Sequence, residues 1–180
     1  MPLFNNIIFI GPMGAGKTTI GRALASQLKW EFVDSDQEIE ARTGANVAWI
    51  FDVEGESGFR DREEAVIDEL TQRDSIIIAT GGGAVLRPVN RERLKARGTV
   101  IYLSATVEQI LARTLNDRTR PLLQTDDRVG VLTTLLEKRD PLYREIADII
   151  IPTGDGPPRE IIAHVLEQIK SKLGDSAQLN

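Results

Sequence analysis

Gly11-Pro12-Met13-Gly14-Ala15-Gly16-Lys17-Thr18 follows a short apolar run, Ile7-Ile8-Phe9-Ile10, and opens directly into Thr19-Ile20-Gly21-Arg22-Ala23-Leu24. The stretch fits GxxxxGK[ST], a phosphate-binding loop set between a strand and a helix. Its glycines let successive backbone N–H groups turn toward one point, and the helix that follows directs the positive end of its dipole there. Gly14, Ala15, Gly16, Lys17, Thr18 and Thr19 are therefore the candidate nucleotide contacts. Lys17 is expected to reach the β- and γ-phosphates of ATP, and the Thr18 hydroxyl to ligate Mg²⁺. The competing reading is a glycine-rich turn that binds nothing, and the strand before and helix after weigh against it.

Outward from the loop, short apolar strands alternate with helices. Strands are expected at 7–10, 31–33, 75–79, 99–103 and 149–151. Helices are expected at 16–28, 37–42, 45–51, 59–70, 91–96, from Ser104 or Thr106 to about 115, at 129–143 with Pro141 interrupting, and at 159–173. Gly55 and Gly58 read as breaks, 116–128 as a mobile excursion, and 174–180 as a disordered tail. Strands that are apolar throughout are buried on both faces, and their alternation with helices predicts an α/β fold with a mainly parallel sheet. Ligands then gather at the carboxyl ends of the strands.

Bulk composition narrows the partners. At 180 residues with 41% hydrophobic and 27% charged residues, the chain reads as one globular domain, 1–180. A net charge of −5 argues against nucleic acid or an anionic membrane as partner. No apolar run is long enough to span a bilayer and no signal segment opens the chain, so a cytoplasmic location is expected. The absence of cysteine leaves oxygen as the donor for any metal. The arginines at 113, 118, 120, 139 and 144 suit a small anionic ligand better than a polymer.

Each strand end carries its own chemistry: the phosphate loop after the first, Asp34 and Asp36 after the second, Gly81-Gly82-Gly83 after the third. In an extended segment Asp34 and Asp36 would face the same side, one near Mg²⁺ and its waters, the other near an acceptor hydroxyl. A helix N-cap plus a solvated acid is the competing account. Three glycines after a strand signal close approach of the backbone to another group. Arg60, with Glu63 and Glu64 at i+3 and i+4, reads on its own as an exposed helical ion pair. Arg120 reads either as a solvated loop charge or as a lid residue closing on the transferring phosphate. His164 is read as structural, and Trp30, Trp49, Tyr102 and Tyr143 as packing residues.

Taken together, GPMGAGKTTIGRALA, DSDQEIEARTG, GFRDREE, TGGG after an apolar strand, RTLNDRTRPLL and KRDPLYRE resemble the bacterial shikimate kinases in order and spacing, from about Asn6 to Ile169. The resemblance implies a three-layer P-loop NTPase fold of the nucleoside monophosphate kinase type. Its five-stranded parallel sheet would be flanked by helices, with a helical substrate-binding insert near 34–60 and a mobile lid near 116–128. It implies ATP-dependent phosphorylation of shikimate to shikimate 3-phosphate by a monomer using Mg²⁺. Lys17, Asp36 and Arg120 would be catalytic. Asp36, Arg60, Gly81, Gly82, Gly83 and Arg139 would bind shikimate, with the two arginines on its carboxylate. Thr18 would ligate Mg²⁺, Asp34 would contact it through water, Arg113 would lie by the adenine, and Arg120 would reach the phosphates from the lid. Thr153-Gly154-Asp155-Gly156-Pro157-Pro158 departs from the family pattern and offers mainly backbone to the base. A kinase of a sugar acid such as gluconate and a nucleotide-dependent switch without acceptor are the rival readings.

Overall fold

A computed structural model of the chain describes residues 6–117 and 123–177. In chain order its elements are β1 (Asn6–Ile10), α1 (Lys17–Leu28), β2 (Glu31–Asp34), α2 (Ser35–Thr43), α3 (Val47–Leu70) and β3 (Ile76–Ala79). A 3₁₀ turn (Ala84–Leu86), α4 (Pro88–Arg97), β4 (Thr99–Ser104), α5 (Val107–Arg113), α6 (Arg128–Ile146), β5 (Ile149–Pro152) and α7 (Pro158–Ala177) complete it. The strands form one sheet in the order β2-β3-β1-β4-β5, and every pairing is parallel. This is the expected α/β architecture, a five-stranded parallel sheet between helical layers.

Strand periodicity builds the two halves of the core. Ile8 and Ile10 of β1, Ile76 and Ile78 of β3, and Val100 and Tyr102 of β4 face one side, where α3, α4 and α6 cover them through Phe59, Ile67, Leu94 and Tyr143. Ile7, Phe9, Ile77, Ile101 and Leu103 face the other side, against Leu24 of α1 and Val165 of α7. β1, third of five strands, is buried along its whole length, so the phosphate loop leaves from the protected middle of the sheet. At the edge, β5 buries Ile149 and Ile151 but exposes Ile150.

Several local expectations are corrected. The helix after β2 begins at Ser35, because Asp34 caps it, so Asp36 lies in a first helical turn and not in an extended segment. Only Gly55, at φ 73°, interrupts α3, and Gly58 is helical. Pro141 sits inside a continuous α6. It withholds the N–H that the Glu137 carbonyl would accept, a cost of about 3 kcal/mol. Tyr143 and Ile146, buried in the core beyond it, supply the packing that carries the helix on for another turn. α7 continues to Ala177 instead of ending at 173. Trp49 is exposed, which leaves it no core role. Arg128 belongs to α6, and the middle of the expected lid, 118–122, lies outside the described residues. Among the described residues no helix is long and apolar enough to cross a membrane.

Candidate active site

The phosphate loop takes its shape from glycine at the helix entrance. Gly16 is the N-cap of α1 at φ 92°, a left-handed conformation that other residues adopt only with strain. The first turn of α1 carries no acidic side chain, so nothing opposes the field at its N-terminus. Lys17 is buried, and its Nζ donates to the carbonyls of Gly11 (2.7 Å) and Pro12 (2.8 Å), which fixes the ammonium within the loop. Thr18 Oγ1 donates to Asp34 Oδ2 at 2.6 Å. Asp34 spends its other oxygen on the backbone N–H groups of Asp36 (3.0 Å) and Gln37 (3.1 Å), capping α2. The competing account of the two acids is half right, since an N-cap is present but it is Asp34.

Asp36 is not a solvated acid. Its Oδ1 is buried with no hydrogen-bond partner. Burial, with a smaller contribution from the Asp34 charge, pushes its carboxyl up to about 6 against the pull of Lys17 and Arg60. Across from it stands the glycine triplet, where space is the constraint. A methyl placed on Gly81 would sit 2.6 Å from Asp36 Oδ1, and one on Gly83 would collide with the Arg60 guanidinium. A methyl on Gly82 would meet Arg139 Nη1 at 3.4 Å and Gly11 O and Met13 N at 3.6 Å. Gly82 is thus a wall common to the phosphate loop and the arginine pocket. Backbone bonds hold the triplet in place: Gly81 N–H donates to Ser35 Oγ at 3.1 Å, and Tyr143 Oη donates to Gly82 O at 2.5 Å.

Arg60 and Arg139 are both buried, so the expectation of an exposed pair at Arg60 is overturned. Arg60 lies over the Phe59 ring at 5.2 Å and donates from Nη1 to Glu63 Oε1 at 2.8 Å. Glu63 is fully buried, its Oε2 has no partner, and burial raises its carboxyl to about 7 against the opposing charge of Arg60. The Nε groups of Arg60 and Arg139 are likewise buried without partners. Such groups are costly to leave unmet in a folded protein, and their clustering marks a polar ligand site. An anionic, hydroxylated molecule answers both the arginines and the acid.

Residues from distant parts of the sequence converge here: Lys17 from α1, Asp36 from α2, Arg60 from α3, the glycine triplet after β3 and Arg139 from α6. Arg113, at the end of α5, donates to Gly14 O (3.0 Å), Thr153 Oγ1 (3.0 Å) and Gly154 O (2.8 Å), so it ties the phosphate loop to the loop after β5. Thr19 is exposed on the first turn of α1. Arg120 lies outside the described residues. Sequence reasoning missed Glu63, Ser35 and the hydroxyl of Tyr143. Glu63 had a readable signal: it stands four residues after Phe59 and three before Val66, on the inward stripe of α3 where a charge needs a reason.

For a metal, the donor set is oxygen only. Thr18 and Asp34 lie together beside the loop, and among the described residues there is no cluster of three or more acidic or histidine side chains. That fits an ion held mostly by phosphate oxygens and water, as Mg²⁺ is in nucleotide sites.

Comparison with known proteins agrees with this geometry. The shikimate kinase family model matches residues 13–170. A shikimate kinase of Pseudomonas syringae pv. tomato is 57% identical over 164 residues, covering 91% of this chain and 95% of its own. One of Chromohalobacter salexigens is 55% identical over 173 residues, covering 96% of each. Among solved structures, shikimate kinase from Acinetobacter baumannii in complex with shikimate superposes with a TM-score of 0.92 at 52% identity, covering 94% of each chain. A match that runs from the phosphate loop into α7, and relatives more than half identical across nearly the whole length, make this chain a member of the shikimate kinase family.

Proposed function

We propose that the chain transfers the γ-phosphoryl group of ATP to shikimate, giving shikimate 3-phosphate and ADP. The observation that carries the reading is the shared wall at Gly82, which sets a buried pocket of two arginines and an unmet carboxylate against the phosphate loop. Arg60 and Arg139 bind the acid's carboxylate, for which a planar guanidinium is the better partner than an ammonium. Asp36 accepts the hydrogen bond of the hydroxyl to be phosphorylated. A bond forms from that oxygen to the γ-phosphorus, the bond from phosphorus to the ADP oxygen breaks, and the hydroxyl proton leaves toward Asp36. An acid near 6 is ionised at neutral pH and still basic enough to receive it. The loose transition state asks mainly for alignment and charge neutralisation, which Lys17 and Arg120 supply. Thr18, and Asp34 through water, would hold Mg²⁺, which would supply charge neutralisation for the phosphates.

In this reading about 34–60 is the acceptor-binding insert and about 116–128 the lid of a single domain, 1–180. Closure of the lid excludes water and suppresses ATP hydrolysis. Arg113 lies beside the adenine, where the loop after β5 presents the Thr153 and Gly154 carbonyls. In this reading the enzyme works as a monomer, and ATP as donor suits the cytoplasm. The test is ADP release with ATP and Mg²⁺ across a panel of hydroxylated acids. Turnover is expected with shikimate and none with gluconate. Phosphorylation of gluconate alone, or stoichiometric ATP binding with no turnover on any acceptor, would sink the proposal.

A further inference from the structure

We infer that Glu63 is a positioning residue that couples acceptor binding to proton uptake: it holds Arg60 until the acid's carboxylate arrives, and then takes a proton. The inference rests on the proposed role of Arg60 and Arg139 as the carboxylate cradle. Geometry carries it. Glu63 Oε1 accepts from Arg60 Nη1 at 2.8 Å, so the arginine assigned to the substrate already has a resident carboxylate. The other oxygen, Oε2, has no partner and lies 3.0 Å from the point that a methyl on Gly81 would occupy. Asp36 Oδ1, also without a partner, lies 2.6 Å from the same point. Two carboxylates therefore converge over one glycine.

The charged groups facing Glu63 are Arg60 from its own helix, Asp36 from α2 and Arg139 from α6. Glu56 meets Arg60 Nη2 at 3.5 Å from the exposed side and stays in solvent. Facing Glu63, two guanidiniums balance two carboxylates, while Lys17 acts on Asp36 from the phosphate loop, where the nucleotide's phosphates take up its charge. A third carboxylate, brought by the substrate, leaves one uncompensated negative charge in a buried place, and protonation is the least costly relief. Asp36 must stay ionised to accept the hydroxyl. Glu63 has no such duty, and burial already raises its proton affinity.

Calorimetric titration of the full chain with shikimate at pH 7.5, in buffers of different ionisation enthalpy, reads the protons taken up directly. About half a proton per shikimate is expected, with affinity falling roughly threefold per pH unit above neutrality. In Glu63→Gln the uptake should vanish and affinity should be flat from pH 7 to 8.5. A wild-type enthalpy independent of buffer, or uptake that persists in Glu63→Gln, overturns the assignment. If that variant does not fold, the wild-type buffer series decides alone: no proton uptake overturns the assignment. Failure of shikimate to bind the wild type refutes the proposed function itself, whereas binding without proton uptake refutes only the role of Glu63.

Discussion

Gly81→Ala is the sharpest probe of the acceptor pocket, because the backbone there is not left-handed and the alanine meets only a spatial objection. Its methyl would stand 2.6 Å from Asp36 Oδ1 and 3.0 Å from Glu63 Oε2. Ordinary contact begins near 3.4 Å, so Asp36 must retreat by about 0.8 Å and Glu63 by about 0.4 Å. Both atoms end side chains that can rotate, so the fold absorbs the change for less than about 1 kcal/mol, and the melting temperature should drop by roughly 2–4 °C at most. The hydroxyl acceptor does not have that freedom. A displacement of about 1 Å at reacting groups costs on the order of 10²-fold in rate, or about 2.7 kcal/mol of transition-state stabilisation. Steady-state kinetics by coupled ADP release, alongside a thermal melt, tests this. A Gly81→Ala enzyme that melts like wild type and keeps kcat/KM for shikimate within threefold would refute the assignment of Asp36 to the acceptor hydroxyl.

Asp36→Asn should lower kcat by about 10²- to 10⁴-fold, and the wild-type rate should rise through pH 6 as Asp36 ionises. The same substitution should change stability in the opposite sense. The folded-state affinity of Asp36 lies above its ordinary value of 3.8, so the unfolded chain loses this proton first and stability declines as pH rises from about 4 to 6. Between pH 4 and 6 the melting temperature of wild type should lose this contribution while Asp36→Asn does not, and identical slopes in that window would contradict the buried carboxylate. Arg139→Ala should raise the shikimate KM by about 10²-fold and leave the ATP KM within threefold, since it removes a partner from a buried carboxylate. Equal losses for both substrates would move Arg139 to the phosphate side. Excess EDTA should abolish transfer yet spare shikimate binding measured by calorimetry, because Thr18 and Asp34 lie on the nucleotide side; undiminished turnover would remove the metal from the mechanism.

Much of this architecture was legible because local signals and long-range demands agree in it. β1, apolar from Ile7 to Ile10, is buried on both faces, and GxxxxGK[ST] sits where a strand must turn into a helix. The charged groups were harder to place. Arg60 and Glu63 look like an i,i+3 surface pair, and only the tertiary packing of α3 over the sheet, with Gly83 pressed against the guanidinium, turns them inward. Pro141 and Gly58 are breakers by propensity, yet both stay within helices whose packed faces outweigh that preference. Asp34 and Asp36 were paired by the periodicity of an extended strand that has already ended at Asp34. They meet the site through a cap and a helical turn instead.

That cap makes Asp34 a linchpin with two masters. One oxygen holds the start of the helix that presents Asp36, and the other holds the first hydroxyl of the helix beneath the phosphates. Under the proposed function, whatever tugs on Thr18 when nucleotide arrives would be felt, through one carboxylate, at the helical turn that carries Asp36. Under that function nucleotide and acceptor would each tighten or loosen the other by the same factor, as any reciprocal coupling requires. Evolution is held to the same bargain. Asparagine at this position could keep the cap oxygen, but it would turn an N–H₂ toward a hydroxyl that needs an acceptor.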